Sequence, residues 1–414
     1  MGGFGAGYGM GRSVVPRVIS SLKRRCVVLP EMSFAYLASI FRNKGAEVTV
    51  TTDLSADADI VFIHSSLVGS EQEREAGAWV KRQGRSRVGY IGPLATAMPE
   101  RFLESGHFVI RGEPEKACMD ALDGWSPAGV VESSPLEDLG RLPFPAWRVF
   151  DVRRFSYRPS LTVQPVLPVL SSRGCSFSCT YCPYRWYQGR WRGRTTENVL
   201  EELEYIVRKF HVRGVIFRDP LFTFDRARCL ELAQGMIDLE LNLKWACETR
   251  LETLDEELLQ VMQQAGLSAI NVGIESASSE VLRSASRSYM SFERQRELVR
   301  CCDSLRVRVA AFYVLGLPGD TRDSILDTIA QAKRLNTHVA EFYVATPFPG
   351  SPLYEQVKGK LLTDDLTCYD GFTPVFEHDH LSPEEIARLR EKAFTSYYLR
   401  PQYFLRYIRR RTWG

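Results

Sequence analysis

The chain has 414 residues, of which 44% are hydrophobic and 25% are charged, and its formal net charge is +3. This length allows two or three domains with separate cores, and the nearly balanced charge gives no reason to expect a nucleic acid partner. No apolar run reaches the roughly 18 residues that a membrane-spanning helix needs, and the first residues lack the apolar core of a signal peptide. We therefore expect a cytoplasmic protein without a transmembrane segment.

The first third of the chain alternates between strand-like and helix-like segments. Residues 1–24 include a glycine-rich stretch without a hydrophobic period, which predicts a flexible tail. The alternation over 25–125 predicts an α/β domain with a doubly wound parallel sheet, in which ligands bind beyond the carboxyl ends of the strands. The predicted strands are 26–30, 47–52, 59–66, 88–92 and 108–112. Residues 126–164 are rich in proline and aromatic side chains and predict an irregular connector.

A second series of strand–helix units begins at residue 165. Six units over 165–350 predict a partial (β/α)6 core, which is most of a TIM-like barrel. The predicted strands are 165–172, 214–219, 243–249, 269–276, 309–316 and 340–346. Residues 351–414 predict a helical C-terminal extension, whose last part mixes aromatic residues with Arg406, Arg409, Arg410 and Arg411. We interpret this part as an aromatic cap on the barrel, and contact with a membrane surface or a polyanion is the alternative.

The chain has ten cysteines, and seven of them are scattered, mostly in stretches that predict strands or helices. We interpret these seven as buried thiols without chemistry: Cys26, Cys118, Cys229, Cys247, Cys301, Cys302 and Cys368. The other three, Cys175, Cys179 and Cys182, form a C-x3-C-x2-C triplet directly after the first barrel strand. Thiolates this close together bind a metal or form redox-active disulfides.

The triplet favours an iron–sulfur cluster over zinc. A structural zinc site takes a fourth protein ligand at short range, and the nearest downstream histidine, His211, lies far outside that spacing. Three thiolates suit a [4Fe–4S] cluster with one open iron. That iron can chelate the amino and carboxylate groups of S-adenosylmethionine (SAM), and an electron from the cluster can then break a sulfonium C–S bond. The three cysteines are therefore the predicted cluster ligands.

With Tyr181 before the third cysteine, the triplet has a C-x3-C-x-aromatic-C spacing and resembles the hallmark of the radical SAM superfamily. The motifs that continue the resemblance lie at the ends of the later strands: Asp219, Arg250, GIES (273–276), GLPGDT (316–321) and TPFPGS (346–351). The resemblance implies an enzyme whose [4Fe–4S] cluster cleaves SAM reductively to a 5′-deoxyadenosyl radical. It also implies a small-molecule substrate and an electron donor such as flavodoxin or ferredoxin.

The position of these motifs suggests roles for them, because barrel enzymes do their chemistry at the carboxyl ends of the strands. We expect Glu275 to accept hydrogen bonds from the SAM ribose, Arg250 to bind the SAM carboxylate and Asp219 to bind its ammonium group. The other predicted SAM-site residues are Tyr181, Gly273, Ser276, Gly316, Gly319 and Pro347. Salt bridges for Arg250 and Asp219, and simple turns for the glycines, are the alternatives. At Asp219 the chain also departs from the commonest pattern of the superfamily, a Gly-Gly-Glu stretch.

Four arginines flank the triplet: Arg173, Arg190, Arg192 and Arg194. Beside an anionic cluster, such side chains would stabilise its reduced form or bind an anionic substrate. A solvated basic loop is the alternative interpretation.

An α/β domain joined by a connector to such a barrel resembles the cobalamin-binding class of radical SAM proteins, many of which methylate unactivated carbon or phosphorus. GPLATAMPE (92–100) and RGEPEKACMDAL (111–122) resemble the end of that class's cofactor domain. The D-x-H-x-x-G motif, which supplies a histidine to cobalt in many cobalamin domains, is absent, because His64 has no aspartate two residues before it. Some class members bind cobalamin without a histidine ligand, so cobalamin binding stays open at this point.

Three functions are open from the sequence. The first is hydrogen abstraction from a substrate carbon, followed by cobalamin-dependent methyl transfer. The second is a cobalamin-independent dehydrogenase, cyclase or epimerase that uses the same radical. The third is a non-catalytic iron–sulfur or cobalamin-binding sensor, which would not need the SAM-facing residues at the strand ends. Product analysis separates the first two, because only methyl transfer leaves S-adenosylhomocysteine.

Overall fold

The computed structural model describes residues 26–55, 57–122 and 124–410, and the tail predicted over 1–24 lies outside them. The described chain has an α/β fold with parallel sheets, as the sequence predicts. Its first part contains, in chain order, β1 (Val27–Val28), α1 (Met32–Asn43), β2 (Ile60–His64), α2 (Ser70–Gln83), β3 (Arg87–Ile91), α3 (Pro93–Ala97), α4 (Glu100–Leu103), β4 (Phe108–Gly112), α5 (Pro114–Asp120) and β5 (Gly129–Ser133).

The N-terminal sheet has four parallel strands in the order β2-β3-β4-β5. One face packs on α1 and α5 through residues such as Ile40 and Phe108, and the other packs on α2 and α4 through Val80 and Phe102. The strands follow chain order across the sheet, so the described sheet has no point at which the order reverses. The prediction of a doubly wound sheet is wrong in this respect.

Two predicted strands lie outside this sheet, and one of its strands was not expected. Val27–Val28 pairs antiparallel with Ser156–Tyr157 instead. Residues 47–52 form no strand, and none of their side chains is buried. A segment with alternating apolar and polar residues, such as EVTVTT, forms a strand only where its apolar side packs on the buried face of a sheet. β5 lies within the segment predicted to be a connector, so the sheet extends beyond the predicted end of the first domain.

The second part of the chain supplies the barrel and the segments around it. Its elements are, in chain order, β6 (Ser156–Tyr157), β7 (Val166–Val169), β8 (Ser172–Arg173), α6 (Tyr184–Gln188), β9 (Arg192–Gly193), α7 (Thr196–Phe210), β10 (Gly214–Phe217), α8 (Arg226–Asp238), β11 (Lys244–Thr249), α9 (Glu256–Gln264), β12 (Leu267–Glu275), α10 (Ser279–Ser284), α11 (Phe292–Ser304), β13 (Arg308–Leu315), α12 (Arg322–Leu335) and β14 (Val339–Val344). The remaining helices are α13 (Pro352–Val357), α14 (Pro383–Tyr398) and α15 (Pro401–Arg410).

Six of these strands form one parallel sheet in the order β7-β10-β11-β12-β13-β14, and each stands where the sequence predicts a strand. Alternate residues, such as Phe217 and Trp245, are buried against the surrounding helices. The opposite side chains near the amino ends form an apolar layer that includes Val166, Ile216, Ala246 and Ala269. Toward the carboxyl ends this inner side becomes polar, with Arg218, Glu248 and Glu275.

The C-terminal helices pack at the amino end of β14. The Tyr397 hydroxyl donates to the Thr337 carbonyl at 2.6 Å, and the Tyr403 hydroxyl donates to the His338 carbonyl at 3.0 Å. Tyr398 hydrogen-bonds both backbone groups of Ala340 in β14. These three tyrosines form the aromatic cap that the sequence predicts. Within the described residues, every helix is too short or too polar to cross a membrane.

Candidate functional site

The three cysteines lie on one loop, residues 174–191, here called the cysteine loop. It begins after β8 and ends before β9, and these two short strands pair antiparallel, Ser172 with Gly193 and Arg173 with Arg192. This ladder closes the base of the loop just beyond the carboxyl end of β7. The triplet therefore stands at the end of the barrel where such enzymes carry their active sites.

Asp219 fixes the chain where β7 leads into the cysteine loop. Its buried carboxylate accepts hydrogen bonds from the Ser171 N–H at 2.8 Å, the Ser171 hydroxyl at 2.6 Å and the Ser172 hydroxyl at 2.5 Å. Burial raises the pKa of Asp219 in spite of these hydrogen bonds. The geometry gives Asp219 a positioning role, and its contact with the SAM ammonium group stays a prediction.

Backbone hydrogen bonds hold the cysteine loop against later loops of the barrel. The Thr180 N–H donates to the Ala285 carbonyl at 3.0 Å, and the Leu353 N–H donates to the Thr180 carbonyl at 3.0 Å. Gly174 has φ +76°, and a Cβ there would lie 2.2 Å from the Arg190 carbonyl oxygen. Glycine is therefore required at the start of the loop.

All three cysteines are free thiols. Burial raises the pKa of Cys175, that of Cys179 to about 11 and that of Cys182 to about 12. Negative charge on Cys179 and Cys175 raises the Cys182 pKa further, so the sulfurs lie within electrostatic range of one another. In the part of the chain that the structure describes, no three His, Cys, Asp or Glu side chains are arranged to hold a metal ion as they stand. The fit to a [4Fe–4S] cluster therefore rests on the donor set, because three thiols on one loop suit a cluster with an open iron.

Arg250 lies directly against the cysteine loop. Its guanidinium carbon is 3.8 Å from the ring centroid of Phe177, and Nη1 is 4.0 Å from the sulfur of Cys179. Nη2 donates to Glu252 at 3.0 Å and to the Ser288 hydroxyl at 2.6 Å. Arg250 is buried and thus places a fixed positive charge beside the cysteines. Its predicted bond to the SAM carboxylate stays a prediction, and the salt bridge to Glu252 is present.

Glu275, at the end of β12, lies near Tyr181 of the cysteine loop, whose hydroxyl lowers the pKa of the carboxylate. A Cβ on Gly273 would lie 2.1 Å from Glu275 Oε1, so the carboxylate occupies the space that this glycine leaves. Burial raises the pKa of Glu275 to about 7, although the nearby Tyr181 hydroxyl and the charge of Arg250 lower it. Three residues that the sequence predicts separately, Tyr181, Gly273 and Glu275, therefore meet at one place.

The other predicted residues lie in the loops after β12, β13 and β14. Ser276 is buried in the turn after β12. Gly316 and Gly319 have φ +79° and +89°, and the Asp320 carboxylate accepts a hydrogen bond from the Gly316 N–H at 3.0 Å. Pro347 is buried after β14. These loops share the carboxyl edge of the sheet with the cysteine loop, and their contacts with SAM stay predictions.

Two arginines at the base of the cysteine loop bind two glutamates of the N-terminal domain. Arg173 donates to Glu115 at 2.7 and 3.1 Å and lies 3.3 Å from Glu113. Arg192 also pairs with Glu113, and all four side chains are 10% exposed or less. Burial raises the pKa of Glu113, but the charges of Arg173 and Arg192 outweigh it and hold that pKa below its usual value. This ion-pair network joins α5 to the β8–β9 ladder.

Arg194 is also buried, where it pairs with Glu202 and donates to the Leu170 carbonyl at 2.8 Å. Of the four arginines that flank the triplet, Arg190 is exposed. The interpretation of a solvated basic loop is therefore wrong for the other three. The glutamates of GEPE (112–115) were not predicted as part of the site. The pattern that could have indicated them is a pair of acidic residues directly after a largely apolar strand.

His64 stands at the carboxyl end of β2, at the edge where a ligand of this sheet would bind. Its Nε2 is 3.8 Å from Glu31, and a Cβ on Gly92 would lie 3.0 Å from the same atom. Beyond Gly92, α3 contacts α6 of the cysteine loop. The carboxyl edge of the N-terminal sheet therefore faces the loop that carries the cysteines, and small residues such as Gly92 and Ala95 stand at this edge.

The sequence model of the radical SAM superfamily matches residues 169–332. An uncharacterized methyltransferase of Pyrococcus horikoshii is 27% identical over 95% of this chain and 94% of its own length. Among solved structures, the radical SAM methyltransferase TsrM of Kitasatospora setae, with cobalamin and a [4Fe–4S] cluster bound, has a TM-score of 0.64, 16% identity and coverage of 80% of this chain and 75% of its own. The cobalamin-dependent SAM radical enzyme OxsB has a TM-score of 0.70 and 14% identity, over 90% of this chain and 64% of its own.

The ion-pair network predicts a large loss of stability when one partner is removed. In Glu115→Ala, Arg173 stays buried without its bidentate partner, and we expect the free energy of unfolding to fall by about 3–5 kcal/mol. Urea denaturation under anaerobic conditions measures this change. Glu132→Ala is the matched control, because Glu132 is 67% exposed in its pair with Arg111 and should contribute less than about 1 kcal/mol. Equal losses in the two variants would contradict the proposed network.

The raised pKa of Glu275 predicts a pH-dependent stability in the cluster-free protein. The folded state holds the proton up to about pH 7, whereas the unfolded state releases it near 4.5. The folded state binds more protons between these values, so this group lowers the free energy of unfolding as the pH rises from 4.5 to 7. Because glutamine does not titrate, the free energy of unfolding of Glu275→Gln should decrease by about 3 kcal/mol less over this pH range than that of the unchanged protein. Urea titrations at several pH values measure it, and parallel pH profiles for the two proteins would refute the assignment.

The cysteine triplet, its place at the carboxyl end of the first barrel strand and the match over 169–332 agree with one another. The two solved structures share this fold and have cobalamin bound. A [4Fe–4S] cluster and SAM are the cofactors that such an enzyme requires. The chain therefore carries a radical SAM domain over residues 169–332, and as a whole it resembles the cobalamin-binding class of that superfamily.

Proposed function

We propose that this protein is a cobalamin-dependent radical SAM methyltransferase that acts on a small-molecule substrate. One observation carries the proposal: the carboxyl edge of the N-terminal sheet faces the cysteine loop, and α3 contacts α6. A cofactor at that edge and a cluster on the cysteines would share one chamber. The methyltransferase of P. horikoshii, which aligns along almost the whole chain, supports the same function.

Cys175, Cys179 and Cys182 are the proposed ligands of the cluster. When bound, a [4Fe–4S] cluster holds SAM at its open iron and supplies the electron that breaks the sulfonium bond. Arg250, whose Nη1 lies 4.0 Å from the Cys179 sulfur, is the proposed partner of the SAM carboxylate, and Glu275 is the proposed acceptor for the ribose hydroxyls. An electron donor such as flavodoxin or ferredoxin would reduce the site.

The N-terminal domain is the proposed site of cobalamin. When bound, cobalamin carries a methyl group from a second SAM to the substrate. Gly92, with φ +108°, lets the backbone approach His64 closely at the sheet edge. His64 brings a metal-binding ring to this edge, and its Nε2 lies 3.8 Å from Glu31 Oε1. The ion pairs of Arg173 and its neighbours keep this edge in register with the cysteine loop.

A second candidate is a cobalamin-independent dehydrogenase, cyclase or epimerase. It is favoured by the N-terminal sheet itself, in which the described strands follow chain order without the reversal at which open α/β sheets usually bind their ligands. β1 pairs with β6 instead of extending this sheet. In that case the domain would shape the substrate pocket without holding a cofactor.

Product analysis after anaerobic reconstitution separates the two candidates. With SAM and a strong reductant, we expect 5′-deoxyadenosine, and with added cobalamin we also expect S-adenosylhomocysteine, both quantified by mass spectrometry. Cys179→Ala should abolish both products, because the cluster loses a ligand. Cys229→Ala is the matched control, since Cys229 is a buried cysteine outside the triplet that donates only to the Phe222 carbonyl.

Deoxyadenosine without S-adenosylhomocysteine, in the presence of cobalamin, would favour the second candidate. A Cys179→Ala protein that keeps full cluster absorbance and SAM cleavage would overturn the cluster assignment. Absence of both products from a protein with an intact cluster would contradict the radical SAM mechanism.

A further inference from the structure

Helix α15 presents its apolar side chains to solvent. Phe404, Leu405 and Ile408 are 55%, 63% and 64% exposed. Their spacing of one and four residues places them on one stripe of the helix surface. In a helix that packs on its own protein, such a stripe is normally the buried side.

The opposite side of α15 is fixed to the barrel. The Tyr403 hydroxyl donates to the His338 carbonyl at 3.0 Å, and its ring lies 4.9 Å from that of Tyr398. Arg406 forms an ion pair with Asp303. Because these contacts hold the polar side against the protein, the helix cannot turn its apolar stripe inward without breaking them.

The helix lies at the amino end of the barrel. His338 precedes β14 and Asp303 precedes β13, so α15 stands at the opposite end from the cysteine loop. Basic side chains exposed around this end outnumber acidic ones, and they include Arg153, Arg154, Arg208, Lys209, Arg213, Lys244, Arg306, Lys333 and Arg334. Residues 399–410 themselves contain four arginines and no acidic residue.

We propose that α15 docks the protein on an anionic lipid surface, with its apolar stripe in the headgroup region and the surrounding basic residues against lipid phosphates. An exposed apolar stripe on a helix with basic surroundings is the pattern of interfacial helices. A polyanion would engage the charges but leave the stripe in water. A second copy of the chain would bring two basic surfaces together, which like-charge repulsion opposes. Docked in this way, the barrel points its cysteine loop away from the membrane.

Vesicle sedimentation tests the proposal with the full-length protein. We expect at least tenfold stronger binding to vesicles of phosphatidylcholine with phosphatidylglycerol than to phosphatidylcholine alone, weakening with added salt. The double variant Leu405→Asp/Ile408→Asp should bind about tenfold more weakly. Leu122→Asp is the matched control, because Leu122 is 83% exposed in the N-terminal domain and should be replaceable without effect. Circular dichroism of each variant checks that the fold is kept.

Three outcomes would overturn the proposal. The first is no sedimentation of the unchanged protein with anionic vesicles. The second is equal binding of the double variant, which would mean that charge alone acts, as with a polyanion. The third is a dimer in light scattering that the double variant converts to a monomer, which would assign the stripe to a second copy. Vesicle binding requires neither SAM nor a cluster, so these outcomes are independent of the proposed methyl transfer.

Discussion

The arrangement of the site depends on the buried ion pairs between Glu113 and Glu115 of the N-terminal domain and Arg173 and Arg192 of the β8–β9 ladder. Four charges removed from water are costly unless each meets its partner. They meet only when α5 sits on the base of the cysteine loop. The ion pairs therefore couple the position of the N-terminal domain to the position of the first and last residues of the cysteine loop.

A second fixed point, Asp219, acts from inside the barrel. Its carboxylate takes the Ser171 and Ser172 donors just before the ladder. The cysteine loop is thus held at its base from two directions, by the barrel and by the N-terminal domain. With the loop held in this position, Tyr181 lies near Glu275 and the Arg250 guanidinium stacks on the Phe177 ring. These contacts place two strand-end residues next to the cysteines. A radical reaction needs this kind of enclosure, because water must be kept from the reacting groups.

The barrel could be predicted from the sequence because strands and helices alternate regularly and carboxyl ends of parallel strands share one edge. The same rule predicts that Glu275, Arg250 and Gly316 lie at one edge of the sheet. The partners of Asp219 and the glutamates of GEPE could not be predicted in this way, since contacts between segments about 50 to 80 residues apart leave no period in the sequence. EVTVTT has the period of a strand, but it forms none because no buried sheet face packs against it. β5 pairs with β4 although its apolar run is short.

The proposed function requires that the three cysteines hold a cluster with an open iron that binds SAM. Electron paramagnetic resonance of the anaerobically reconstituted and reduced protein measures this binding at the iron itself. We expect the signal of a reduced [4Fe–4S] cluster whose g-values shift when SAM is added. A cluster signal that SAM leaves unchanged would contradict the binding of SAM at the open iron.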